Sequence, residues 1–440
     1  MSTRFFWRRP SIVVEDPTLV VSVRLPAVLG ENLPFRRFWL GRTISLFGDQ
    51  ISLIAIPLAA VLVLHANARQ MGYLIAAELA PNLFFALHAG AWVDRRGRRR
   101  QMMIACDLGR GALIATIPLA YAFDALTIQQ LYVVAFLVGT LALLFQVSHA
   151  SLFVSIVPRE RYVEANSLLA GSRAFSFVAG PSVGGILVQL LKAPFALVVD
   201  AVSFVFSALF LSLISPQEPP TEEAERGHVV AGARFVMRTP AIRSALLATA
   251  TINLFNFIFW ALFILYAVRS LHVRAGTLGL VLGAGAVGGV IGSMITTRLG
   301  RTIGIGPTFL LGCIVFPTPL VLVPLAGGPK PLVLAMLFLA EFGSGLGVMI
   351  LDISAASIFA ALVPHRLRSR VSGAYTLVNY GVRPVGSLIG GFLGSAIGLR
   401  PTLWVATVGA IAGFLWLLSS PIPRMRDLPE PVEQESVPRR

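Results

Sequence analysis

The chain has 440 residues, 56% of them hydrophobic and 13% charged, with a mean hydropathy of +0.78. A soluble protein carries about twice that charged fraction, so the composition excludes most soluble enzymes and points to a polytopic membrane protein. The formal net charge is +15, from 36 Lys+Arg against 21 Asp+Glu, and its meaning depends on where the basic residues stand.

In chain order, residues 1–38 are expected to form a cytoplasmic tail. Their best apolar run, Thr18 to Gly30, is broken by Arg24 and Pro26, so it reads as neither a signal peptide nor a span. Twelve runs long enough to cross ~30 Å of hydrocarbon follow, at 39–65, 72–92, 102–123, 130–156, 165–190, 194–214, 241–268, 276–297, 305–325, 331–362, 371–397 and 399–420. Residues 215–240, which include P-Q-E-P-P-T-E-E-A-E-R, have a soluble composition, and Thr221-Glu222-Glu223 is a candidate helix start. They read as a cytoplasmic linker between six-helix units at 39–214 and 241–420, with 421–440 as a second tail. The expected fold class is an all-α membrane protein of twelve transmembrane helices.

With the N-terminus placed in the cytoplasm, inner loops hold sixteen arginines, Arg95, Arg96 and Arg98 among them, and outer loops hold six Lys or Arg. This is the positive-inside bias. The +15 therefore reports topology, with both termini inside, and is no sign of a nucleic-acid partner. Arg outnumbers Lys 34 to 2, which hints at a GC-rich bacterium and so at its inner membrane. Cys106 and Cys313 lie in apolar stretches and the six histidines are scattered. Neither a disulfide framework nor a metal site is expected, and no cofactor is.

The halves resemble each other in register. G-P-S-V-G-G-I-L at Gly180–Leu187 aligns with G-S-L-I-G-G-F-L at Gly386–Leu393, and Val157-Pro158 with Val363-Pro364. D-R-R-G-R at Asp94–Arg98 aligns with T-R-L-G-R at Thr297–Arg301, and Ile44–Gly48 with Ile252–Asn256. Four matches in one order suggest duplication of a six-helix unit into two pseudo-symmetric bundles, a transporter architecture with its site between the repeats.

The loop after the second span reads G-A-W-V-D-R-R-G-R-R-R, Gly90 to Arg100. Its glycines permit a tight turn and close helix approach, and Asp94 could face a helix N-terminus. The fifth span carries A-G-P-S-V-G-G, Ala179 to Gly185, a kink and a smooth face at helical spacing. On these residues the chain resembles the major facilitator superfamily, whose motif in that loop is G-x-L-x-D-R-x-G-R-K/R. Gly90, Asp94, Arg95, Gly97, Arg98 and Arg99 match and Trp92 departs from the usual Leu. The resemblance implies that Gly90, Asp94, Arg95, Gly97 and Arg98 form a conformational latch. Gly180, Pro181, Gly184 and Gly185 look like the glycine motif of the family's exporters. Phe35–Gln50 and Val157–Leu168 look like the macrolide-efflux branch of its drug–proton antiporters. The basic residue that many of those carry in the fourth span is missing from Ala135–Phe145.

Ionisable groups within spans are costly and mark pathways. Arg42, Ser45, Asp49 and Ser52 are spaced three, four and three apart, a polar stripe on the first span that should face a cavity rather than lipid. Asp49 is the first candidate for carrying a proton and Glu78 the second. Asp107 and Arg110, three apart, are expected to pair. Arg173 and Arg383 are expected to neutralise carboxylates on neighbouring helices, with Glu341 and Asp352 as partners, and Arg383 alternatively faces an anionic substrate. Asp200, close to the outer end of the sixth span, reads as interfacial. Asn253, Asn256 and Trp260 form a stripe on the seventh span, and Tyr375, Asn379 and Arg383 one on the eleventh. With Ser45, Ser52, Gln146 and His149 they outline a cavity for an amphipathic organic molecule.

No phosphate-cradling or zinc-protease motif is present, which points away from an enzyme and toward an ion gradient as the energy source. The expectation is a monomeric secondary exporter, coupled to protons and working by alternating access, for a small organic molecule such as a drug, siderophore or secondary metabolite. Its partners are that substrate, protons and membrane lipid. An uptake symporter of the same fold and a membrane-embedded lipid-modifying enzyme remain the alternatives.

Overall fold

In lipid every backbone N–H and C=O must be satisfied within the protein, so apolar runs of this length fold as helices. A computed structural model describes residues 26–216, 229–364 and 367–427. Among them are twelve long helices: α1 (Leu33–Leu62), α2 (Ala68–Arg96), α3 (Arg99–Ala122), α4 (Ile128–Ile156), α5 (Tyr162–Leu191), α6 (Ala193–Ser212), α7 (Pro240–Arg269), α8 (Ala275–Thr302), α9 (Ile305–Val315), α10 (Lys330–Leu362), α11 (Arg368–Ala396) and α12 (Leu399–Ala412). Ten spans are long and apolar enough to cross a membrane. Helices α2 and α11 are as long but more polar, and they pack on each other.

Local chemistry sets the helix ends. Asn67 and Gln70 form a reciprocal capping box at the start of α2, which satisfies two otherwise orphaned N–H groups. Gly97 stops α2 in the left-handed region, φ +61°, a conformation that costs glycine little. The ninth span was expected to be one helix over 305–325. It is instead α9, a 3-10 turn over Thr318–Val321 and a short helix Leu322–Leu325. Pro317, Pro319 and Pro324 supply no N–H for a continuous ladder. In the linker, Thr221-Glu222-Glu223 lies outside the described residues. A helix over Val229–Arg238 is described there, and it docks on α11 with Gly232 against the Arg370 carbonyl.

The packing repeats. In the first half α1 lies on α5 and α6, α2 on α4, and α3 on α4 and α6; in the second α7 lies on α11 and α12, α8 on α10, and α9 on α10. The halves meet along two seams, α2 with α11 and α5 with α8. The repeated glycines make equivalent contacts. Gly180 packs on Gln50 and Gly184 on Ile51 of α1, while Gly386 packs on Leu254 and Gly390 on Ile258 of α7. A Cβ on Gly185 would stand 2.5 Å from the Ala275 carbonyl oxygen of α8, and one on Gly391 3.0 Å from that of Ala68 in α2. Only residues without side chains allow backbones so close.

Both seams are tight toward the end opposite the Arg-rich loops. At the arginine end, a side chain added to Gly90, Gly171 or Gly373 would meet nothing within 4 Å. The α5–α8 and α2–α11 contacts thus close one end, while the glycines at the arginine end stand clear of neighbouring helices. Helix α7, with Phe259, Leu262 and Phe263 all but inaccessible, belongs to the apolar core at the closed end.

Candidate functional site

The most charged interior region lies in the first half, where α1, α3 and α6 converge. On α1, one Asp49 oxygen stands 3.5 Å from Arg110 Nη1 of α3 and the other 3.7 Å from Arg42 Nη1. The Arg110 Nη2 also donates to Asp107, one turn earlier on α3. The Arg110 guanidinium is sandwiched by Phe145 of α4 and Phe204 of α6, at 4.7 and 4.2 Å from the ring centres, and Arg42 lies 5.2 Å from the Phe145 ring. Such cation–π contacts hold a desolvated cation in place. Asp107 is wholly buried, whereas a third of the Asp49 side chain is exposed. Asp49 is thus the edge of the cluster and Asp107 its interior.

Asp200 belongs to the same region, which corrects its expected interfacial position. It is wholly buried, accepts a hydrogen bond from Ser52 of α1 and a second from Ser203, at 3.1 Å. The polar stripe on α1 also divides. At 100° per residue, Arg42 and Asp49 differ by about 20°, while Ser45 and Ser52 sit roughly 60–80° to one side. Ser45 is accordingly buried, with its hydroxyl unpartnered, and Ser52 points to α6. Neither serine lines an open cavity.

The second half is built from neutral groups. Thr249 of α7 and Tyr375 of α11 share a hydrogen bond at 2.8 Å, and Asn253 donates to Asn379 at 3.1 Å. Asn256 is buried with its side-chain oxygen unpartnered. Trp260 stands edge-on to Phe259 and Phe263. Arg383 lies over Tyr380 and Phe257, at 4.0 and 5.2 Å.

The other expected charge pairs do not form. Among the described residues Arg173, Glu341 and Asp352 make no ion pair within 4.0 Å. Glu341 is buried against Gly285. Arg173 and Asp352 are exposed side chains on α5 and α10. Asp352 has Arg383 within electrostatic reach but not in contact. Pairing across helices depends on each helix's rotation about its axis, which spacing along one chain does not specify. Glu78 makes no hydrogen bond or ion pair among the described residues, and its carbonyl abuts Gly139 of α4. Gln146 is exposed, and His149 stacks on Phe38 at 4.8 Å with its Nε2 unpartnered.

One groove, of about 750 Å³, was not foreseen. It lies between the arginine-end halves of α1 and α5, lined by Trp39, Thr43, Phe47, Leu168, Ser172 and Phe175. Thr43 and Ser172 bridge it at 2.9 Å, and Phe47 meets Phe175 edge-on. None of the residues expected in the cavity lines it. Residues 39, 43 and 47 recur every four, which places them on one face of α1.

In the Gly90–Arg100 loop, Arg96 covers the exposed Trp92 ring at 4.4 Å and Arg95 and Arg98 are exposed. The Asp94 side chain lies outside the described residues. The glycine motif Gly180, Pro181, Gly184 and Gly185 packs α5 against both α1 and α8.

Comparisons with known proteins agree with this architecture. The family model for the Major Facilitator Superfamily matches residues 38–386 and 247–439. The chain is 27% identical over 398 residues to "Multidrug efflux pump Tap" of Mycolicibacterium fortuitum, covering 87% of this chain and 93% of that one. It is 22% identical over 236 residues to "Multidrug resistance protein 1" of Bacillus subtilis, covering 53% and 58%. Among solved structures, a bacterial homologue of the iron transporter ferroportin in an inward-facing state superimposes with a TM-score of 0.71 at 16% identity, covering 88% of this chain and 98% of that one. The nucleoside transporter NupG gives 0.70 at 12%, covering 88% and 99%.

Proposed function

Because the chain belongs to the Major Facilitator Superfamily, we propose that it is a proton-driven exporter of amphipathic drug-like molecules, working by alternating access in a bacterial inner membrane. The arginine end is then cytoplasmic, with both termini and the linker on that side, and the end that the seams leave clear is the inward-facing mouth of the cavity. Relatives named as multidrug efflux pumps, matched over most of both chains, support drugs as the substrate class. The glycine seam between α5 and α8 suits a closure that forms and parts as rigid bundles rock. The Gly90–Arg98 loop, Asp94 included, acts as the latch of the opposite state.

The observation that carries proton coupling is the position of Asp49. It is a partly exposed carboxylate inside the membrane, held between two arginines at the edge of a buried charge cluster. Protonation there would loosen both contacts and shift α1 against α3. Glu78 is the second coupling candidate. A proton moving inward across ~150 mV releases about 3.5 kcal/mol, enough for roughly 300-fold accumulation. The test is uptake of a panel of fluorescent cationic and neutral drugs into everted vesicles, whose lumen corresponds to the cell exterior, under an imposed pH gradient with an acid lumen. Wild-type protein exports at least one of them and Asp49→Asn exports none. Retained gradient-driven export by Asp49→Asn removes that assignment, and influx of labelled drug in whole cells would favour the symporter.

A further inference from the structure

Nothing above assigns a role to Asp200. Helices α1 and α6 meet there along a seam of small residues: Gly41, Ser45, Gly48 and Ser52 on one side, Ser203 and Ser207 on the other. A methyl group on Gly48 would overlap both the Asp200 carboxylate and the Ser203 hydroxyl, so α1 rests directly on this carboxyl group. The surroundings are polar. Ser45 and Ser207 are wholly buried, Ser45 with an unpartnered hydroxyl and Ser207 beside the Asp107 carboxylate.

The charges do not balance. The buried cluster holds two guanidiniums, Arg42 and Arg110, and three carboxyl groups, Asp49, Asp107 and Asp200. An uncompensated charge in a membrane interior is strongly unfavourable, and one proton restores neutrality. The other titratable neighbours do not change this count. Arg173 of α5 lies within electrostatic reach of Arg42 and His149, but it is exposed to solvent, which screens it, and it makes no ion pair among the described residues. On α4, His149 stacks on Phe38. On α3, Cys106 is buried and Tyr121 lies against Phe195 at the far end of the helix. Helix α6 has no second titratable group.

The partners of each carboxyl group indicate where that proton sits. Asp49 lies between two arginines and Asp107 is bonded to Arg110, with the Ser207 hydroxyl beside it; an arginine only donates. Asp200 has no cation within 4.0 Å among the described residues and is bonded to two serine hydroxyls. A hydroxyl both donates and accepts, so the Ser52 and Ser203 bonds survive in either protonation state of Asp200, with one of them reversing direction. We propose that Asp200 holds the proton that neutralises the cluster, and that this is the proton exchanged in transport, with Asp49 the point at which the cluster meets the cavity. The role in transport rests on the proton-driven reading above; the protonation of Asp200 does not.

Infrared difference spectroscopy of the purified full-length protein, titrated with acid and base in H2O and D2O and without any drug, separates the two. Wild type shows a C=O band of protonated carboxyl groups near neutral pH. Asp200→Asn loses one component of it, and Asp49→Asn, which leaves two guanidiniums against two carboxyl groups, weakens that component near neutral pH without abolishing it in acid. A spectrum of Asp200→Asn identical to wild type across the titration overturns the assignment. Should Asp200→Asn not fold, Ser203→Ala removes one hydrogen-bond partner and shifts the frequency of the same component; an unmoved band is equally fatal. In everted vesicles, Asp200→Asn reduces gradient-driven drug uptake to the level of vesicles without the protein. If wild type shows the Asp200 band but no proton-driven efflux, the functional reading fails while the protonated group stands.

Discussion

The two halves share a fold and differ in the chemistry of equivalent helices. Where α1 carries arginine and aspartate to α3 and α6, α7 carries threonine and asparagine to α11. The first arrangement contains groups whose charge a proton changes. The second contains hydroxyls and amides that stay neutral across physiological pH. Duplication thus left a cluster of ionisable groups where α1, α3 and α6 converge and neutral hydrogen-bonding groups between α7 and α11. The glycine seams stayed the same in both halves.

The sharpest way to break this contrast is Asp49→Asn against Asn253→Ala. The first abolishes gradient-driven drug uptake into everted vesicles. The second lowers drug affinity, measured by fluorescence binding, without altering its pH profile. If the Asn253 variant instead flattens that profile, proton sensing is not confined to the first half. Next in size is stability. Arg110→Ala leaves Asp107 buried without its cation, and denaturant unfolding in detergent should register a loss of about 3–5 kcal/mol. Removing a neutral bond in the other half with Tyr375→Phe should cost about 1 kcal/mol in the same experiment.

A subtler comparison tests the seams. Gly279→Val and Gly72→Val place branched side chains at equivalent points of the α5–α8 and α2–α11 contacts. Both should slow transport by about tenfold, a barrier increase of ~1.4 kcal/mol, and should raise labelling of engineered cysteines from the side opposite the arginine loops. Labelling that changes in only one variant would show that the pseudo-symmetry is one of shape and not of energetics. The smallest effect is expected at Thr43→Val. It removes one side-chain bond across the groove and should change affinity for bulky aromatic drugs by less than about 1 kcal/mol.

Much of the fold was legible because hydrocarbon imposes one solution on a long apolar run. Most expected and observed helix ends agree within about five residues, though α1 starts at Leu33 rather than 39 and α12 ends at Ala412 rather than 420; the repeated glycines at Gly180 and Gly386 pack on α1 and α7 in the same register. The ninth span departed because Pro317, Pro319 and Pro324 interrupt the backbone ladder within a run that is apolar throughout. The site was legible where partners share a helix, as with Asp107 and Arg110. It was hidden where partners belong to different helices. Asp200 read as interfacial from its place in α6, although Ser203 and Ser207, three and seven residues on, mark a polar face beside the small-residue stripe of α1. The expected pairs of Arg173 with Glu341 or Asp352 failed for the complementary reason, since composition supplied candidates and nothing in the sequence supplied rotation.

The backbone contact between Gly185 and Gly279 has a bearing on leakage. Protons move through proteins along files of water and hydroxyl groups, and a drug carrier that let them slip past would short-circuit the gradient it spends. Two main chains pressed together, with their carbonyls already committed within each helix, leave no room for such a file. The contact is thereby also an insulator, and its tightness comes from the absence of side chains.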